Sequence, residues 1–244
     1  MPFTKEAVEF LMENKFHDSR AWFEEHRKQY EQLVLEPMRS LVVELAPAVL
    51  ALDAHLIAEP KVGRSLSRIY RDTRFTKDKS IFRDVAWCVF SRDKKAYEGP
   101  PAFFFEFSPS KLRWGCGFYR ASPAAMDTMR GLIRRDDPDF AGAVEAVGAD
   151  RYFVLTGDCY KRSKFPQETG VRRLWLDHKN ISVVHECTEF APLYRPELGQ
   201  VLAADFKRLL PVYQFFRKAQ TISFDQPQEE TSPLPKAPRQ TFDW

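Results

Sequence analysis

Long apolar runs are missing from this chain: no stretch of its 244 residues approaches the roughly 18 consecutive apolar positions of a membrane-spanning helix. The start, Met1-Pro2-Phe3-Thr4-Lys5-Glu6, carries an acid where a signal peptide runs apolar, so a cytoplasmic location with no membrane partner is expected. Cysteine is scarce. Cys88, Cys116, Cys159 and Cys187 stand apart, and none forms the C-x-x-C pair of a zinc ribbon or redox motif, so all are expected as reduced core residues. The chain also lacks a P-loop, a G-x-G-x-x-G turn, a nucleophile elbow, an H-E-x-x-H helix and a paired acidic metal motif. No cofactor or metal is therefore expected.

What is present is aromatic and locally basic. With 44% hydrophobic residues and 21 Phe, the chain can fill the core of one domain, expected over residues 1–221. The overall charge of +3 is unevenly spread. Residues 61–83 hold eight basic groups against two acids, a net +6, so the remainder sums to −3. A field this local suits a small anion better than it suits nonspecific nucleic-acid binding, which is disfavoured further by the scarcity of basic residues around the aromatic hairpin beyond Lys111 and Arg113.

The order of elements reads as α+β, an antiparallel or mixed sheet flanked by helices with an N-terminal helical cap over about residues 1–55. Thr4 caps a helix from Lys5 to Asn14, Asp18 caps a second, and Pro37 opens a third that runs to Leu52. In the second, Trp22, Phe23, His26, Tyr30, Leu33 and Val34 recur at the spacing of one buried face. Phe103 to Phe107 and Leu112 to Tyr119 form a hairpin around Ser108-Pro109-Ser110-Lys111. Ser122-Pro123 and Asp137-Pro138 open helices, and strands are expected at Tyr152 to Leu155 and Ile181 to Cys187. A last helix from Pro196 to Ala219 should kink or divide at Pro211. Residues 222–244 turn to Pro, Gln, Glu, Ser and Thr, which predicts a disordered tail whose Phe242 and Trp244 offer a contact for a protein partner.

The segment Arg68-Ile69-Tyr70-Arg71-Asp72-Thr73-Arg74-Phe75-Thr76-Lys77-Asp78-Lys79 resembles the signature R-x-Y-R-D-x-R-F-S-K-D-K-x-P-Y-K of a bacterial and fungal family known as domain of unknown function 2461. The likeness extends over most of residues 3–220. It includes Trp22-Phe23 with Arg27 and Tyr30, Gly115 and Gly117, Arg130 and Ile133, and Lys161-Arg162. It implies membership rather than a reaction, because the family carries no established activity. Thr76 replaces the usual Ser, Ser80-Ile81-Phe82-Arg83 replaces the proline and lysine end, and Val85-Ala86-Trp87-Cys88 is bulkier than the small segment expected there. A closely approached ligand would meet an altered or narrowed site.

Read physically, the block admits two roles. Arg68, Arg71, Arg74, Lys77, Lys79 and Arg83 are candidates to hold an anion, since the guanidinium fork matches phosphate and carboxylate, with Asp72 and Asp78 orienting the arginines or serving as a base. Alternatively the same acids, with Glu59 or Glu106, neutralise the block into an ion-pair network that pins the helical cap to the sheet. A helical turn would gather Arg68, Arg71 and Arg74, whereas an extended chain splits Arg71 from the others. Lys161 and Arg162 are candidates for a second positive patch. His185 and Cys187 share a strand face without Glu186, too few ligands for zinc, and His26 reads as a hydrogen-bonded core histidine.

Overall fold

The computed structural model describes residues 3–74, 76–93 and 99–225, so most of the Pro-rich segment expected as a tail lies outside the described residues. Helix α1 (Lys5–His17) begins at Thr4, as expected, and ends three residues beyond the expected Asn14, at His17. Asp18 does not start the next helix. It closes α1 in the left-handed region (φ 42°), which its short polar side chain tolerates, and Ser19 instead caps α2 (Arg20–Tyr30) by accepting the Trp22 N–H. The helix then widens through a π-turn at Glu31–Leu35 and runs on as α3 (Glu36–Leu52), so the expected second and third helices are joined.

The sheet has five strands: β1 (Ala86–Ser91), β2 (Pro101–Phe107), β3 (Leu112–Phe118), β4 (Val154–Thr156) and β5 (Ser182–Cys187). Their order is β1-β2-β3-β5-β4 and every pair is antiparallel. Between β3 and β5 lie α4 (Pro123–Arg134), α5 (Pro138–Val147) and α6 (Gly170–Leu176), the first two opened by their prolines. The short α7 (Ala191–Tyr194) precedes α8 (Leu198–Arg208) and α9 (Leu210–Asp225). The chain divides at Leu209, with Pro211 in the first turn of α9 where its missing N–H costs nothing, and α9 continues past Thr221 to Asp225.

Strand alternation sets the two faces of the sheet. Cys88 and Phe90, Phe103, Phe105 and Phe107, Trp114 and Cys116, and Val183 belong to the main core. Phe103 stacks on Tyr213 (4.9 Å) and meets Phe206 (5.2 Å), and Phe118 meets Phe216 (5.1 Å), so α8 and α9 cover this face. Each fully buried Phe contributes about 2–3 kcal/mol of burial. Cys88 and Cys116 are buried as expected, but Cys159, past the end of β4, is exposed, and Cys187, the last residue of β5, is only half-buried against the core. Trp87, Val89, Ala102, Phe104, Gly117 and Ser182 alternate with the core residues and face the other side.

Candidate functional site

The basic block is extended, which decides how its arginines are distributed. Tyr70 bridges Phe82 in antiparallel fashion; Arg71 donates its backbone N–H to Ile81 (2.8 Å), and Arg83 donates its own to Ile69 (2.9 Å). Residues 69–71 and 81–83 are thus the legs of one excursion, and the pairing sets Arg83 beside Ile69, next in sequence to Arg68. Just upstream, residues 65–67 run along β1: Ser67 N–H reaches Trp87 O (3.0 Å) and Val89 N–H reaches Ser65 O (2.9 Å). This arrangement brings the root of the block onto the sheet face that α8 and α9 leave uncovered.

A cavity of about 260 Å³ lies there. Leu66, Trp87, Val89, Ala102, Phe104 and Phe118 supply its apolar wall, and Arg64, Arg68, Arg83, Ser67, Tyr119 and Ser182 its polar rim. Arg83 is nearly buried, lies over the Trp87 ring at 4.9 Å and donates Nε–H to Tyr70 O at 3.3 Å. Arg64 is exposed and held by Glu59 at 2.7 Å. Arg68 is exposed, and among the described residues no carboxylate stands within ion-pair distance of it. Its guanidinium lies over Gly63, where a Cβ would meet it at 3.4 Å; Gly63 also turns at φ +81°, so glycine serves twice. At Gly117 a Cβ would fall 2.1 Å from Ser182 Oγ, so the missing side chain is what leaves room for that hydroxyl at the cavity.

The outer part of the block is engaged with itself and with the helical cap. Arg74 holds Asp72 in a fork (2.9 and 2.7 Å), and that contact, with the Arg74 N–H, lowers the Asp72 carboxyl to about 2. Arg71 pairs with Asp78 and Ser80, and the Ser80 N–H and Arg71 together hold Asp78 well below the usual carboxylate range. Lys79 donates to Thr73 O (2.8 Å), and Lys77 is exposed. From α1, Lys15 reaches Ser80 Oγ (2.6 Å). Asp18 Oδ1 accepts the N–H groups of Ile81 (2.7 Å) and Phe82 (3.0 Å). Of the six cations named from the sequence, the cavity is lined by Arg68 and Arg83, together with Arg64; Arg71, Arg74, Lys77 and Lys79 lie away from it. Lys15 and Asp18 were not legible as members of this network, because they join it across more than sixty residues.

The other candidates fall elsewhere. Glu106 lies on the cavity's sheet face but pairs with Arg113 (2.6 Å); burial pushes its carboxyl up while Arg113 draws it down. Arg113 continues to Glu186 (3.4 Å), and Lys111 also meets Glu186 (2.8 Å), forming a cross-strand ladder. His185 stacks on Tyr152 (4.0 Å), with its Nδ1 2.8 Å from Tyr152 O, on the opposite face from Glu186. Lys161 and Arg162 are exposed and do not line the cavity. His26 is half-buried, not a core residue. Its ring stacks on Trp22 (4.0 Å), with His17 stacked at 4.8 Å, and its Nδ1 lies 2.7 Å from Trp22 O.

Fold and site together define an α+β protein whose open antiparallel sheet carries a cation-rimmed apolar cavity opposite its helical layer. The chain belongs to the family described as conserved hypothetical protein (DUF2461), which matches residues 6–215. Comparison with curated proteins found no match. Among the described residues no helix is long and apolar enough to cross a membrane.

Proposed function

We propose that this protein binds a small anionic molecule, bearing a phosphate or carboxylate, in the sheet-face cavity. Arg68 and Arg83 hold the anion, and Arg64 reinforces the field at the mouth. The observation that carries the reading is the placement of three guanidinium groups, those of Arg64, Arg68 and Arg83, around a pocket with a largely apolar wall, where low polarity strengthens each charged contact. Binding is favoured over acid–base catalysis because, among the described residues, no carboxylate, histidine or cysteine lines the cavity. A cytoplasmic location belongs to the same reading and is supported by four cysteines held as free thiols.

A second reading assigns Arg71, Arg74, Asp72 and Asp78 a structural role: an ion-pair network joined to α1 through Lys15 and Asp18. The two readings divide the block between them, its root serving the ligand and its outer part serving the fold. Thermal melts with and without phosphate or sulfate test the division. The wild type is expected to gain melting temperature with added anion, and Arg68→Gln to lose that gain with its unliganded melt unchanged. A wild type indifferent to both anions would leave only the structural reading.

A further inference from the structure

Across the width of the sheet the cavity ends at the margin between β3 and β5. Gly117, Phe118 and Tyr119 line it from the end of β3, and Ser182 from the start of β5. Next along the first chain is Arg120, exposed, its guanidinium 5.8 Å from the centre of the Tyr119 ring. A short step before Ser182 on the second is Lys179, also exposed. Asn180 fastens the two chains together here. Its Oδ1 accepts the Ala121 N–H (3.0 Å), and its Nδ2 donates to Phe118 O (3.3 Å) and Tyr119 O (3.1 Å). Arg120 lies between two residues that this clamp holds, and Lys179 adjoins the clamp itself.

Lys179 has company. Its ammonium lies 5.6 Å from the centre of the Tyr160 ring, the Lys164 ammonium reaches the same ring at 4.3 Å, and the Arg130 guanidinium does so at 5.3 Å. The two ammonium groups therefore stand within roughly 10 Å of each other, one Debye length, and repel. Arg130 is answered by Asp127 and by the carbonyls of Leu176 and His178, while Asp177 is taken by Ser163 and Arg173. Among the described residues no carboxylate stands within ion-pair distance of Arg120, Lys164 or Lys179. Arg64, Arg68 and Arg83 mark the β1 side of the cavity and this second group marks the β3–β5 side, three strand spacings or roughly 14 Å away. We infer that Arg120, Lys164 and Lys179 form a second anion subsite, and that the ligand is an elongated small molecule with an anionic group at each end. One end is held by Arg68 and Arg83, the other here. A ligand with a single charge leaves the second set of cations in mutual repulsion, whereas a second phosphate or carboxylate offsets it. The inference rests on the anion-binding reading above and extends it from one anionic group to two.

Isothermal titration of the full chain with octanediol bisphosphate, hydroxyoctyl phosphate and ethanediol bisphosphate tests this. The long bisphosphate is expected to bind about tenfold more tightly than the matched monophosphate. The double variant Lys164→Gln with Lys179→Gln, and separately Arg120→Gln, should erase most of that margin and leave hydroxyoctyl phosphate unchanged. All three positions are exposed, so these variants should fold as the wild type does. Arg68→Gln should weaken every probe. Equal affinity for the long bisphosphate and the monophosphate, both lowered by Arg68→Gln, would overturn the second subsite and leave the cavity anion site standing. A margin that survives the lysine and arginine variants would place the second anion elsewhere and overturn the inference. So would an equal margin for ethanediol bisphosphate, which is too short to span the two groups. Binding abolished by the lysine variant but indifferent to Arg68→Gln would overturn the cavity reading together with the two-ended ligand, and no binding of any probe would overturn both.

Discussion

Asp18, the left-handed residue that closes α1, accepts the backbone N–H of Ile81 at 2.7 Å, and the same oxygen takes Phe82 N–H at 3.0 Å. One carboxylate thus fixes the returning leg of the basic block to the helical cap and, through the Tyr70–Phe82 bridge, fixes where Arg83 stands. Asp18→Ala strands two partly buried donors and puts a Cβ residue with no polar compensation into the left-handed region. It is expected to cost about 2–3 kcal/mol. Asp18→Asn keeps an acceptor and the backbone tolerance, so most of that loss should be absent. Urea denaturation of the two variants measures the difference.

Arg71 and Arg74 should differ although both pair with an aspartate in the same block. The Arg74 side chain is 76% exposed, so solvent screens its pair with Asp72 and Arg74→Gln is expected to leave stability close to unchanged. Arg71 is 14% exposed and bonded to Asp78 and Ser80; Arg71→Gln should cost about 1–2 kcal/mol. Neither should alter a thermal shift given by phosphate. Chemical denaturation with and without phosphate checks both statements.

Acid should destabilise the fold chiefly through Asp53, with a small share from Asp72. Burial raises the Asp53 carboxyl, but the fork from Arg92 (2.7 and 3.0 Å), the Tyr213 hydroxyl (2.6 Å) and the His55 N–H outweigh it and lower Asp53 to about 2. Asp72 is also lowered to about 2, by Arg74, but this pair is exposed and screened by solvent, so its share is small. Both groups are depressed in the folded state, so their stabilisation is complete above the unfolded value of about 4 and is lost as pH falls toward about 2. The melting temperature should drop through that window, and Asp53→Asn should flatten the drop.

Asn14 is fully buried, and among the described residues neither amide atom of its side chain has a hydrogen-bond partner. An unsatisfied buried amide costs about 1–3 kcal/mol. Asn14→Leu, similar in size and apolar, is therefore expected to raise the melting temperature. A lower one would mean that the amide has a role the protein contacts do not reveal.

Local chemistry was readable in the sequence wherever a residue acts on its near neighbours. The prolines at 123, 138 and 211 open helices where the chain places them, and the Phe103–Phe107 hairpin forms around its Ser-Pro turn. Strand β1 escaped because it is buried almost throughout, so Ala86-Trp87-Cys88 shows no alternation of polarity. The joining of α2 to α3 escaped because Pro37 reads as a helix start, whereas the π-turn carries the chain into it without a break. The site was half legible. Charge density located the block, but Arg68, Arg71 and Arg74 look alike in sequence. What separates them is the partner each finds: Asp72 two residues from Arg74, Asp78 seven from Arg71, and for Arg68 the cavity opened by a non-local pairing of residues 69 and 83.

The central claim is that an anion sits between Arg68 and Arg83 and not among the outer cations. Crystals soaked in selenate, with anomalous scattering recorded at the selenium edge, test it directly. The account predicts a selenium peak at the cavity rim within hydrogen-bond reach of both guanidinium groups, absent in Arg68→Gln. A peak confined to Lys77 and Lys79, or none in the cavity, would contradict it.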